Sequence, residues 1–260
     1  MHLSYTSLVD ADACPHRFKL KYIDKIKTFT NSIDTIFGNL MHECVQGFLM
    51  HKRTKDETRK YFFRWWKTFY KIYKKHLDDK KTVSFLRAGL NCLSHLDTSF
   101  EDCEALTVEE KLYMPISEDH PNIGFKGYID LVMFKGNSLV IADLKTTGSS
   151  FMFEKYLDDI KRFQLVYYKN YYAQKYDIDP SEIDVYFITL EKAPTSKQPI
   201  RFIQDSPSPR LVKESKDLIN RTIDKIERGE FVKNRNACIN TKTKIQCPFL
   251  DTAHCPKEID

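Results

Sequence analysis

The chain has 260 residues, 42% hydrophobic and 30% charged, with a formal net charge of +5. This composition excludes a disordered chain, and no stretch approaches the ~20 apolar residues that a membrane-spanning helix needs. The modest positive balance tolerates a polyanionic partner without requiring one.

The start, MHLSYTSLVDADACPHRF, reads as irregular. It lacks the basic residues and apolar run of a signal peptide. Together with an odd count of seven cysteines, it predicts an intracellular, cytoplasmic protein without a disulfide framework; a bacterial or phage-like setting is a guess beside this, carried by no residue. Helices follow. Phe37, Leu40, Met41, Cys44, Val45, Phe48 and Leu49 form an apolar stripe at helical spacing. A second, aromatic-rich helix is predicted over 56–77, and Leu86, Leu90, Leu93 and Leu96 mark a third. Cys44, Cys92 and Cys103 lie in helix-like stretches as core residues.

The pattern changes near residue 106. LTVEEKLYMPI, GFKGYIDLVMF and SLVIADLKT read as strands. A helix over about 156–175, the strand DVYFITLEK, a Pro/Ser-rich loop at 206–209 and a last helix over about 210–228 complete the order, with Gly229 as its stop. The expected organisation is one domain. Residues 1–105 form a helical N-terminal part, 106–205 the main sheet and helix, and 206–260 a C-terminal helix with a Cys-containing tail.

If Gly136-Asn137 makes a two-residue hairpin turn, cross-strand partners have numbers summing to 273, and Asp130 faces Asp143. Their Cβ atoms would then stand roughly 4.5–5.5 Å apart. Lys145, two residues beyond Asp143, shares that face. Adjacent carboxylates repel unless a proton or cation intervenes. Mg²⁺ suits such oxygen ligands, and a neighbouring lysine can stabilise charge on phosphorus. The competing reading is a surface salt bridge between Asp130 and Lys145.

Gly38-x-x-x-His42, Gly127-Tyr-Ile-Asp130, Asp143-Leu-Lys145-Thr146 and Gln164-x-x-x-Tyr168 occur in the order found in the PD-(D/E)XK nuclease superfamily, and the chain resembles its RecB-like exonuclease branch. Ile129 replaces the proline of the nominal "PD". The resemblance implies an α/β fold of the restriction-endonuclease-like type. Its central mixed sheet would be flanked by helices, with a helical N-terminal elaboration. It also implies His42, Asp130, Asp143 and the Leu144 carbonyl as ligands of Mg²⁺ or Mn²⁺, and Lys145 as the catalytic lysine. Glu110 matches the acidic residue that often precedes the hairpin, whereas Glu109 would point to the opposite face. Gln164 and Tyr168 share a helix face and would support the site or contact DNA. Bland alternatives stand beside these roles: a structural His42, solvated edge-strand charges at 109–110, and simple packing for Tyr168.

AddB-type and CRISPR-associated relatives clasp a [4Fe–4S] cluster with one N-terminal and three C-terminal cysteines. Cys14, Cys238, Cys247 and Cys255 resemble that set, although Leu250 stands where a middle cysteine is expected. Zinc on the same thiolates, or with His254 replacing one, and four unligated thiols are the alternatives. Lys-interleaved aromatics over 61–77 read mainly as core (Phe62, Trp65 or Trp66, Phe69, Tyr73), with the lysines solvated or touching phosphates. The function expected from the resemblance is a metal-dependent DNA exonuclease acting on free ends or single strands, in recombination, repair or replication. The alternatives are a structure-specific or restriction-like endonuclease and a non-catalytic nucleic-acid-binding module.

Overall fold

Ser4, Ser32, Thr54, Asp78, Asp158 and Ser208 each stand one residue before a helix, and each side chain accepts a backbone N–H of the first turn. Such caps satisfy donors that have no partner inside the helix. The computed structural model describes residues 1–28, 32–117, 119–238 and 246–256. Its helices are α1 (Tyr5–Ala13), α2 (Pro15–Phe18), α3 (Ile33–Leu49), α4 (Lys55–Tyr73), α5 (Asp79–Ser94), α6 (Leu96–Ser99), α7 (Ser150–Lys155), α8 (Asp159–Tyr176) and α9 (Pro209–Glu227). The strands are β1 (His2–Leu3), β2 (Cys103–Pro115), β3 (Gly124–Lys135), β4 (Ser138–Thr147), β5 (Ile183–Glu191) and β6 (Ile200–Asp205).

The chain forms two compact units, each assembled from separated stretches. The first comprises Met1–Thr30, Pro115–Lys126 and Ser208–Asp260; the second comprises Asn31–Met114 and Gly127–Pro207. In the first, β1 pairs in parallel with the opening residues of β3, His2 with Gly124 and Leu3 with Phe125. The start is therefore not irregular: a reciprocal Ser4–Ser7 capping box launches α1.

In the second unit β3 pairs with β2 and β4, and β5 lies between β4 and β6. The β4–β5 pairing is parallel; β3–β4 and β5–β6 are antiparallel. This is a mixed sheet, and helices flank it. Leu131, Met133, Val140, Ala142 and Leu144 face Phe37, Met41 and Val45 of α3 in one apolar core, to which Phe62 and Trp66 of α4 also belong. Side chains alternate across a sheet, so Asp143 and Lys145 face the other way, where Gln164 of α8 meets both.

Several elements depart from the expected ones. Cys103 opens β2 and is half-buried, rather than lying in a helix. The helix expected from 156 begins at Asp159 after the short α7, and β6 had no counterpart in the pattern read from the sequence. Of the two adjacent tryptophans Trp66 is buried, while Trp65 is 53% exposed. No helix among the described residues is long and apolar enough to cross a membrane.

Candidate active site

The hairpin between β3 and β4 organises the site. Pairing runs from Lys135↔Ser138 to Leu131↔Ala142, so Gly136-Asn137 is the two-residue turn. Gly136 has φ +56, a conformation that a first turn residue without a side chain adopts freely. Asp130 and Asp143 are the next positions in this register. Asp130 is tied to the opposite strand: the Leu144 N–H donates to its Oδ2 at 2.7 Å.

Asp143 is only 2% exposed. Its Oδ1 accepts from Gln164 Nε2 at 2.6 Å, and its Oδ2 lies 2.7 Å from Lys145 Nζ. That second contact is an ion pair without good hydrogen-bond direction, which leaves Oδ2 as a buried oxygen lacking a directed donor. Burial raises the Asp143 carboxyl to about 6; the nearby Asp130 charge adds to this, while Lys145 and His42 oppose it.

Gln164 is a two-sided brace. Its Oε1 accepts from Lys145 Nζ at 2.9 Å while its Nε2 donates to Asp143 and, at 3.0 Å, to Tyr168 Oη. Burial, and then the Asp143 charge, push the Tyr168 phenol upward, so it is an un-ionised hydroxyl at neutral pH. His42 reaches from α3 to place Nδ1 3.6 Å from Asp130 Oδ1. Burial pulls this imidazole down, but Asp130 and then Asp143 outweigh it and hold its pKa above the usual value. One turn earlier on α3, a Cβ on Gly38 would lie 3.3 Å from Thr146 Oγ1, so glycine permits the helix to lie close against β4.

The structure thus brings together His42, Asp130, Asp143, Lys145, Gln164 and Tyr168, with Leu144 between the two carboxylates. It does not bring in Glu110. That side chain is engaged by Lys175 Nζ at 2.6 Å and Tyr176 Oη at 2.5 Å. Burial raises the Glu110 carboxyl, but Lys175 and Tyr176 outweigh it and hold it below the ordinary range. Glu109 takes the place beside the site instead. Its φ of +52 breaks the alternation of β2, and its Oε1 accepts from Gln46 Nε2 at 2.8 Å. The same Nε2 donates to the Asp130 carbonyl at 3.0 Å. Gln46 escaped the sequence reading, although it lies four residues after His42 on the same helix face.

The donor set suits a divalent cation. Two carboxylates and an imidazole converge, and hard oxygen ligands dominate. Asp143 Oδ2 is a buried acceptor without a directed donor. Each acid has a basic partner: Asp130 Oδ1 has His42 Nδ1 at 3.6 Å and Asp143 Oδ2 has Lys145 Nζ at 2.7 Å. Among the described residues no three His, Cys, Asp or Glu side chains already stand in metal-holding geometry, so a cation at this site would have to displace the His42 and Lys145 contacts.

In the first unit, Cys14, Cys238 and Cys255 are buried and Cys247 is half-buried, all as free thiols. Burial raises the Cys238 thiol, and Cys247, Cys255 and Cys14 raise it further, so Cys238 lies within electrostatic reach of the other three. The backbone knits the same segments: Asn234 N–H donates to Cys14 Sγ at 3.4 Å, Cys247 N–H to the Cys238 carbonyl at 2.7 Å, and His16 Nε2 lies 2.9 Å from the His254 carbonyl.

Residues 2–255 match the PD-(D/E)XK nuclease superfamily. Among solved structures, the chain is similar to an exonuclease candidate from Eubacterium rectale at a TM-score of 0.56 and 11% identity, over 90% of this chain and 84% of that one. SSO0001 aligns at a TM-score of 0.40 and 14% identity, over 86% and 75% of the two chains. No curated protein sequence matches.

Proposed function

The chain belongs to the PD-(D/E)XK nuclease superfamily, and on that premise we propose that it is a metal-dependent DNA exonuclease hydrolysing phosphodiester bonds. The observation that carries this reading is the hairpin cluster, in which Asp143 is pinned between Lys145 and Gln164, and Asp130 between His42 and the Leu144 amide. His42, Asp130, Asp143 and the Leu144 carbonyl would hold Mg²⁺ or Mn²⁺. When bound, the cation supplies Lewis-acid stabilisation of phosphate charge and acidifies the attacking water.

The protein's own groups do the rest. Lys145 places a positive charge where a phosphoryl oxygen gains negative charge in the transition state. Gln164 fixes that ammonium relative to Asp143, so little reorganisation is needed during reaction. Glu109 adds a third carboxylate at the rim, in the role that the family resemblance had assigned to Glu110. Exonuclease action inside the cell, on free or single-stranded DNA ends, is in keeping with the RecB-like motif order and with the naming of the Eubacterium rectale protein.

We propose further that Cys14, Cys238, Cys247 and Cys255 hold a [4Fe–4S] cluster. Cys14 between α1 and α2 and three tail cysteines, all free and with Cys238 in electrostatic reach of the other three, support this, and zinc is the alternative occupant.

End-labelled linear DNA and covalently closed circles, each with and without Mg²⁺, test the activity. Loss of label from linear DNA alone is expected. Cleavage of circles would make the enzyme an endonuclease, and no hydrolysis of either would end the nuclease reading.

A further inference from the structure

Gln46 is 9% exposed, and its amide nitrogen serves two acceptors on two different strands. Both partners, the Glu109 carboxylate and the Asp130 carbonyl, can only accept. The chemistry therefore fixes which end of the amide faces them. Glu109 meanwhile holds a left-handed backbone in the middle of β2. Residues with a side chain avoid this region unless the surroundings enforce it. The twist has a visible consequence: Glu109 turns toward Gln46 and the Asp130 strand, while Glu110 goes to Lys175 and Tyr176. Glu109 also lies close enough to the site for its charge, with those of Asp143 and Asp130, to act on Tyr168.

We propose that Gln46 is a positioning residue that clamps the Glu109 carboxylate beside Asp130, making it a third acid of the cation site. The inference rests on the nuclease reading for its purpose and on the Gln46 bonds for its geometry. Gln46 follows His42 by one helical turn, so a single helix supplies both an imidazole for the site and the clamp for a carboxylate that comes from another strand. Outer groups that orient ligands commonly contribute 10–100-fold to metal affinity.

The test is Mn²⁺ binding to the whole chain without nucleic acid, followed by the electron paramagnetic resonance of free Mn²⁺. Gln46→Met should weaken binding about tenfold, and Glu109→Gly should weaken it comparably. The double variant should be no weaker than Glu109→Gly alone, because Gln46 then has no carboxylate to position and keeps only its bond to the Asp130 carbonyl. If Gln46→Met folds poorly, the comparison is made within Glu109→Gly, where glycine removes the backbone strain. Wild-type affinity in Gln46→Met, or losses that multiply in the double variant, would overturn the proposal. So would a wild-type chain that binds no Mn²⁺. A wild-type chain that binds Mn²⁺ but degrades no DNA would sink the nuclease reading while leaving the clamp in place.

Discussion

The Leu144 amide donates to Asp130 Oδ2 at 2.7 Å, so the carboxylate of one strand is held by the backbone of the strand that carries the other acid. Asp130 is therefore oriented by a backbone amide, which among substitutions at 144 only proline would remove. Asp143 depends on the side chains of Gln164 and Lys145. The two acids should respond differently to the same conservative change.

Asp130→Asn keeps an acceptor for Leu144 and turns its new NH₂ toward His42, which can accept as a neutral imidazole. The variant should melt within a few degrees of wild type while losing at least about 100-fold in hydrolysis. Asp143→Asn instead sets an amide NH₂, at a buried position, against the partly exposed Lys145 ammonium. It should lose activity and stability together, as read by thermal melting beside the DNA assay.

Stability without metal should fall as pH rises. The folded Asp143 carboxyl sits near 6, above the 3.8 of an ordinary aspartate, so its folding contribution is complete below the ordinary value and is lost as pH climbs through 6. His42, also raised in the fold, acts in the same direction. Urea titration of metal-free protein should show a loss on the order of 1–3 kcal/mol between pH 5 and 7.5. Asp143→Leu should flatten much of it.

Tyr168→Phe removes the hydroxyl that accepts from Gln164 but leaves the bonds from Gln164 to Asp143 and Lys145. A loss of roughly 1 kcal/mol in stability and less than tenfold in kcat is expected. Lys145→Ala should abolish most turnover at saturating metal. Comparable kinetics for the two variants would argue against a catalytic Lys145.

Protein purified without oxygen should be brown, with roughly four irons per chain. Serine at position 14, 238, 247 or 255 should cost metal and stability, whereas Cys92→Ser, within the apolar core of the other unit, should keep the metal. Colourless protein with zinc would replace the iron. Metal-free, stable and active protein with all four thiols reduced would reject the clasp.

The hairpin was legible because Gly136-Asn137 sets a register and the register places every residue on both strands. The Gly38, His42, Gln164 and Tyr168 positions followed from motif order. The choice between Glu109 and Glu110 was not legible. Strict alternation puts adjacent acids on opposite faces, and nothing in VEEKL announces a left-handed residue, since no glycine stands there. The first helix escaped because it is short and mixes polar and apolar residues without a clear stripe, Pro15 follows closely, and the serine pair that caps it resembles a loop. Residues 200–205 carry too short an alternation to stand out beside the prolines around them.

The first unit draws on residues near both extremes of the numbering, Met1–Thr30 and Ser208–Asp260, with the second unit threaded between them. During synthesis, α1 and Cys14 leave the ribosome long before α9 and Cys238 exist. At about 5–20 residues per second, they wait on the order of ten to forty seconds for their partners. The hairpin and its acids, complete by residue 207, can fold within that interval. The order of synthesis therefore lets the sheet of the second unit form before the distant stretches of the first can meet. Ribosome-arrested chains long enough to bring Pro207 out of the exit tunnel should already protect β3 and β4 from protease while leaving Cys14 open to a thiol reagent.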